Sequence, residues 1–131
     1  MVIDTNVLIS ILFEPNEAKK VFLAQNVLIA PTILKIELIN VLRKVHFLKG
    51  LPMESVKQYF SNGLTYISDF KPDDDLLEKA IDISFKLNHP IYDCLFLALA
   101  LKTDHPFVSL DARLLQKAKN LGIETLEFSS I

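Results

Sequence analysis

Four acidic residues stand where an apolar chain has little reason to keep them. Asp4 ends the apolar start of "MVIDTNVLIS", Glu37 interrupts "ILKIELINVL", Asp93 opens "YDCLFLALAL", and Asp111 follows "FVSL". Taken singly, each has an ordinary use. Asp4 (or Thr5), Asp93 and Asp111 can cap a following helix, and a lone Glu37 can reach water from a partly exposed face. Taken together, they can line one pocket. Two carboxylates about 4 Å apart repel by about 4 kcal/mol at an effective dielectric near 20, so a gathered set either binds protons or takes a cation. His46, His89 and His105 share no metal-ligand spacing, and an oxygen-only set favours Mg²⁺ or Mn²⁺ over zinc. Such ions bind phosphate oxygens, and the matching chemistry is phosphodiester hydrolysis by an activated water. The run Asp73-Asp74-Asp75 is the contrast: it opens a polar helix face and reads as capping and solvation.

The elements that must position these residues follow from the apolar pattern. Residues 2–3 form a very short strand, and residues 26–30 ("NVLIA"), 65–70 ("TYISDF"), 105–110 and 123–128 read as further strands. Helices are expected over 6–13, from Pro15 to about 25, from 32 to about 48 with a Lys49-Gly50 stop, over 51–64 with an irregularity near Gly63, and over 71–87, 92–103 and 111–122. Residues 92–103 are apolar nearly all round, so this helix is central and buried. Short apolar strands separated by helices imply a three-layer α/β/α fold with a short central parallel sheet. Ligands of such sheets bind beyond the carboxyl ends of the strands. Asp4 and Asp111 both fall there.

A chain of 131 residues with no repeat or linker suits a single domain over 1–131. Its lone Cys94 cannot form an internal disulfide, which fits the reducing cytoplasm, and with no His close in sequence it reads as a buried filler rather than a nucleophile. No apolar run approaches the roughly 18 residues of a membrane span, and no basic-then-apolar leader precedes the first strand. Half of the residues are apolar and mean hydropathy is +0.31, a surplus that implies a partner surface. The net charge of −2 carries no general nucleic-acid signature. Its distribution is uneven: seven Lys/Arg face two acids over 18–60, and nine acids face four bases over 61–111.

In combination and in order, "VIDTNVLI", Glu37 in "ILKIELINVLRK", "IYDCLFLALA" and "FVSLDARL" resemble the PIN domain, in particular the VapC-type toxins of toxin–antitoxin pairs. The resemblance runs along essentially the whole chain. It implies a Mg²⁺- or Mn²⁺-dependent endoribonuclease whose acidic residues match Asp4, Glu37, Asp93 and Asp111 and whose small polar residues match Asn6 and Ser109. On that reading Asp4, Asp93 and Asp111 hold the metal directly or through water. Glu37 is a further ligand or orients the attacking water, Asn6 and Ser109 fix the carboxylates, and Thr5 caps its helix. The last motif usually carries Thr where this chain has Ser109, which keeps the hydroxyl. Asp4 follows Met1 by three positions, so the first strand is short enough to bear on the stability of a sheet edge.

The resemblance further implies an RNA substrate, a homodimer and a small antitoxin partner; helix 32–48, apolar on most faces, is a candidate contributor to the dimer. The antitoxin is expected in a groove offered by Val21, Phe22 and Leu23 and rimmed by Lys19 and Lys20. Two other enzyme classes fit poorly. A haloacid-dehalogenase-type phosphatase needs an aspartate where Asn6 stands, and a phosphoreceiver needs a central acceptor aspartate and a late lysine. A free-standing PIN nuclease of RNA maturation and a catalytically inactive PIN-like module are the remaining alternatives.

Overall fold

The structure, a computed structural model, describes residues 1–128. In chain order its elements are β1 (Val2–Ile3), α1 (Thr5–Phe13), α2 (Glu17–Gln25), β2 (Ile29–Pro31), α3 (Ile33–Lys49), α4 (Met53–Thr65), β3 (Asp69–Lys71), a 3₁₀ turn at Asp73–Asp75, α5 (Leu77–Leu87), α6 (Ile91–Thr103), β4 (Phe107–Ser109), α7 (Ala112–Asn120) and β5 (Thr125–Glu127). The five strands form one parallel sheet in the order β3-β2-β1-β4-β5. Right-handed crossovers put α1–α4 on one face of such a sheet and α5–α7 on the other. This is the doubly wound form of the expected α/β/α sandwich, and the chain reverses direction between β1 and β4.

The short first strand is not an edge. Val2 and Ile3 are fully buried at the centre of the sheet, paired with β2 on one side and β4 on the other. Two residues suffice because the ladder continues beyond them: Val2 donates to the carbonyl of Pro106, Ile29 to that of Met1, and Asp4 to that of Val108. On the α5–α7 face, Cys94 through Ala100 are consecutively buried in α6, as the all-round apolar pattern requires.

Several local expectations shift for identifiable reasons. Residues 26–28 are not strand, because the Asn26 amide closes α2 by donating to the carbonyl of Phe22. Helix α4 continues through Gly63 without interruption to Thr65, so β3 starts only at Asp69. The glycine serves close approach rather than bending: a Cβ there would sit 3.1 Å from both Leu12 and Leu38. Asp73 caps across the molecule, its carboxylate accepting from the amide of Ile33 at the start of α3 (3.0 Å).

The proposed groove on α2 is absent. Phe22 is a core residue, 6% exposed and edge-on to Phe128 at 5.1 Å. Lys19 is buried too, its ammonium donating to the carbonyls of Glu14 (2.6 Å) and Ser10 (3.4 Å) at the C-terminal end of α1, where a cation suits the helix dipole. Of the apolar residues expected there only Val21 is exposed (49%), and the larger exposed apolar surfaces lie elsewhere. Ile36, Ile39, Phe47 and Leu48 on α3 and Leu77, Ile81 and Phe85 on α5 are exposed.

Candidate active site

Open parallel sheets bind ligands where the strand order reverses, beyond the carboxyl ends of the strands. In this chain that crevice lies between β1 and β4, and Asp4 and Ser109 meet in it. The Ser109 hydroxyl donates to Asp4 Oδ2 (2.8 Å), and the Thr5 amide donates to Asp4 Oδ1 (2.8 Å). Asp4 is also the N-cap of α1. The "DTN" turn therefore starts a helix and fixes a carboxylate with one set of bonds. Asn6 completes the link: its amide nitrogen donates to Ser109 Oγ (3.3 Å) and its oxygen accepts from the amide of Leu110 (3.2 Å). Asp111 donates its own amide to Ser109 Oγ (2.9 Å).

Asp4 is 7% exposed, and burial pushes its pKa from 3.8 up to about 7. The bonds from Ser109 and Thr5 oppose that rise, and the nearby charges of Asp93 and Glu37 add to it. Glu37 is also held above its ordinary range, first by burial and then by Asp93 and Asp73, while the Thr5 hydroxyl counters by donating to Oε1 at 2.6 Å. The structure thus brings Asp4, Glu37 and Asp93 within electrostatic reach of one another. Asp111 differs. Its carboxylate is exposed and accepts from the amides of Arg113 (3.0 Å) and Leu114 (3.2 Å), capping α7.

Two expectations about single residues change. Thr5 does not cap α1; its hydroxyl ties Glu37 to the first turn, a bond 32 positions long that no local pattern reveals. Asp93 does not cap α6, whose N-cap is Pro90. Its Oδ2 lies 2.6 Å from His89 Nε2, and His89 Nδ1 lies 2.8 Å from the ammonium of Lys117. The i,i+4 spacing of His89 and Asp93 carried that signal; nothing in the sequence pointed to Lys117. Cys94 is a buried filler, its thiol pushed up to about 11 by burial.

Among the described residues, no three His, Cys, Asp or Glu side chains are placed together so as to hold a metal ion. The donor chemistry nonetheless fits a hard dication. Asp4, Glu37 and Asp93 offer only carboxylate oxygens, two of them are destabilised as anions, and Mg²⁺ binds through one or two carboxylates while keeping several waters.

No curated protein matches the chain by sequence. Among solved structures, it is similar to PAE2754 from Pyrobaculum aerophilum, with a TM-score of 0.76 at 17% identity over 95% of this chain and 81% of that one. It is also similar to a chain of VapBC2 from Rickettsia felis, solved bound to a DNA fragment from their promoter, with a TM-score of 0.70 at 11% identity over 97% of each chain. At these identities the likeness establishes the fold. The PIN domain family matches residues 1–120, the stretch that contains every acidic residue of the crevice, and the chain belongs to this family of nucleases.

Proposed function

We propose that the protein is a Mg²⁺- or Mn²⁺-dependent endoribonuclease and the toxin of a toxin–antitoxin pair. The observation that carries the reading is Asp4: a buried carboxylate held in orientation by Ser109 and Thr5 at the switch point of the sheet, its charge opposed by burial and by two acidic neighbours. A carboxylate fixed and destabilised in this way suits a cation. Asp4, Asp93 and Asp111 would hold the ion directly or through water, and Glu37 would be a further ligand or would orient the attacking water and take its proton. A raised carboxylate pKa suits that last role, and Thr5 keeps Glu37 in place. Asn6 and Ser109 keep the set aligned. Bound there, Mg²⁺ or Mn²⁺ supplies Lewis acidity at the phosphodiester and a more acidic water.

The toxin assignment draws on the sequence motifs and on the VapBC2 chain, which this chain matches over nearly its full length. An antitoxin can bring an arginine to the acidic crevice, where it pairs with carboxylates and excludes metal and phosphate. Its apolar anchors fit a cavity of about 430 Å³ that includes Glu37 and is walled by Ile33, Ile36 and Tyr92. Homodimerisation engages the far end of α3, where Phe47 is 70% and Leu48 81% exposed. The protein works in the cytoplasm, where Cys94 stays reduced. The RNA-maturation reading keeps the same chemistry and lacks the inhibitor.

The deciding experiment incubates the purified protein with structured and single-stranded RNA, with Mg²⁺, Mn²⁺ or a chelator, alone and with the product of any small gene adjacent to its own. Cleavage that needs metal and stops with the neighbour's product supports the toxin. Cleavage without any such inhibitor supports RNA maturation, and no cleavage by a folded, metal-supplied protein leaves an inactive module.

A further inference from the structure

The neighbours of Asp93 form a chain that neither the family match nor the crevice accounts for. Lys117 on α7 is 2.8 Å from His89 Nδ1, and His89 Nε2 is 2.6 Å from Asp93 Oδ2. An ammonium has only protons to offer and a carboxylate only lone pairs. The two contacts therefore fit one state of the ring, with Nδ1 accepting from Lys117 and Nε2–H donating to Asp93.

The ring is also anchored through its main chain. The His89 amide donates to the carbonyl of Ser84 (3.1 Å), and the His89 carbonyl accepts from the Ser84 hydroxyl (2.6 Å). Asn88 before it takes the left-handed conformation that ends α5, and Pro90 after it is the N-cap of α6. Three helices thus hold one imidazole against one oxygen of Asp93. No described residue donates to the other oxygen, Oδ1.

We propose that His89 and Lys117 are positioning residues: Lys117 selects the Nε2–H form of His89, and His89 fixes Asp93 so that Oδ1 faces the crevice as a preset ligand for a divalent cation. The inference rests on the reading of Asp93 as a metal-holding carboxylate. A purely architectural tie between α6 and α7 would also use these contacts, but it would leave metal affinity unchanged. Partners one step removed from a metal commonly contribute 10–100-fold to its affinity.

Two measurements on the full chain test it. Long-range ¹H–¹⁵N spectra of the metal-free wild type at neutral pH should show His89 protonated at Nε2 and bare at Nδ1; a proton on Nδ1 overturns the proposal. Titration calorimetry with Mn²⁺ should show binding weakened by roughly 10–100-fold in His89→Ala and Lys117→Met. His89→Gln keeps an N–H within reach of Asp93 and should stay closer to wild type. Wild-type affinity in both His89→Ala and Lys117→Met overturns the positioning role. Should the wild type itself bind no Mn²⁺, the metal reading fails, and the ring's protonation then decides whether His89 is fixed as described. If His89→Ala does not fold, Lys117→Met and the spectra carry the test.

Discussion

Asp4 and Asp111 occupy the same position in the chain's grammar. Each follows a buried strand, each is the N-cap of the next helix, and each is linked to Ser109 Oγ. Their surroundings separate them. Asp4 lies inside the switch-point crevice, nearly sealed from water, with Asp93 and Glu37 opposing its charge. Asp111 is exposed, and one oxygen is taken up by two amides of α7. A strand–Asp–helix signature therefore fixes a carboxylate's direction and not its electrostatic state. That state comes from how deeply the sheet buries the turn and from what faces it across the crevice.

The comparison breaks most visibly at Asp4. Asp4→Asn keeps shape and capping but removes the charge, so RNA cleavage should fall roughly 1,000-fold, the equivalent of several kcal/mol of metal-based stabilisation, with Asp93→Asn behaving alike. Either variant cleaving at the wild-type rate removes that residue from the site.

Stability offers the next largest effect. Unfolded, Asp4 titrates near 3.8; folded and without metal, near 7. Between those values the folded state keeps a proton that the unfolded state has released. Its contribution is therefore present below about pH 4 and is lost as pH rises toward 7, by up to roughly 4 kcal/mol for a shift of this size. Asp4→Asn should flatten that slope and be more stable than wild type at pH 8 but not at pH 4. Mg²⁺ should restabilise only the wild type. Denaturant midpoints across pH, with and without metal, measure both.

Asp111 should respond in two separable ways. Asn caps a helix as well as Asp, so Asp111→Asn should change stability by less than about 0.5 kcal/mol, whereas Asp111→Ala should lose about 1 kcal/mol. Cleavage should fail in both. An active, stable Asp111→Asn would reduce Asp111 to a cap. Smallest is Thr5→Val, which keeps the shape and frees Glu37. It should cost about 1 kcal/mol and slow cleavage several-fold; unchanged Mn²⁺ affinity in this variant assigns Glu37 to the water, weakened affinity to the metal.

Much of this was legible because burial leaves marks in sequence. Glu37 and Asp93 stand out against apolar neighbours, and a helix apolar nearly all round, such as 92–103, has only the core to occupy. The doubly wound order was not legible, since neither β1 nor β4 names its neighbour. Lys19 and Phe22 misled for a related reason. On a short helix of mixed character, a lysine beside an aromatic residue describes a solvent rim as well as it describes a buried ammonium closing another helix. Thr5 and Lys117 became functional candidates only through partners on other elements, and Gly63 through the leucines crowded against it.

The two-residue central strand also sets a timetable. One of the two sheet neighbours of Val2 and Ile3, Phe107–Val108, is synthesised about a hundred residues after them. The bond that fixes Asp4 spans 105 positions. Until β4 has left the ribosome, the crevice has one wall, and Asp4 has no serine to orient it. For a nuclease this order is protective: the nascent chain cannot assemble the crevice that gathers its acidic residues before β4 has emerged.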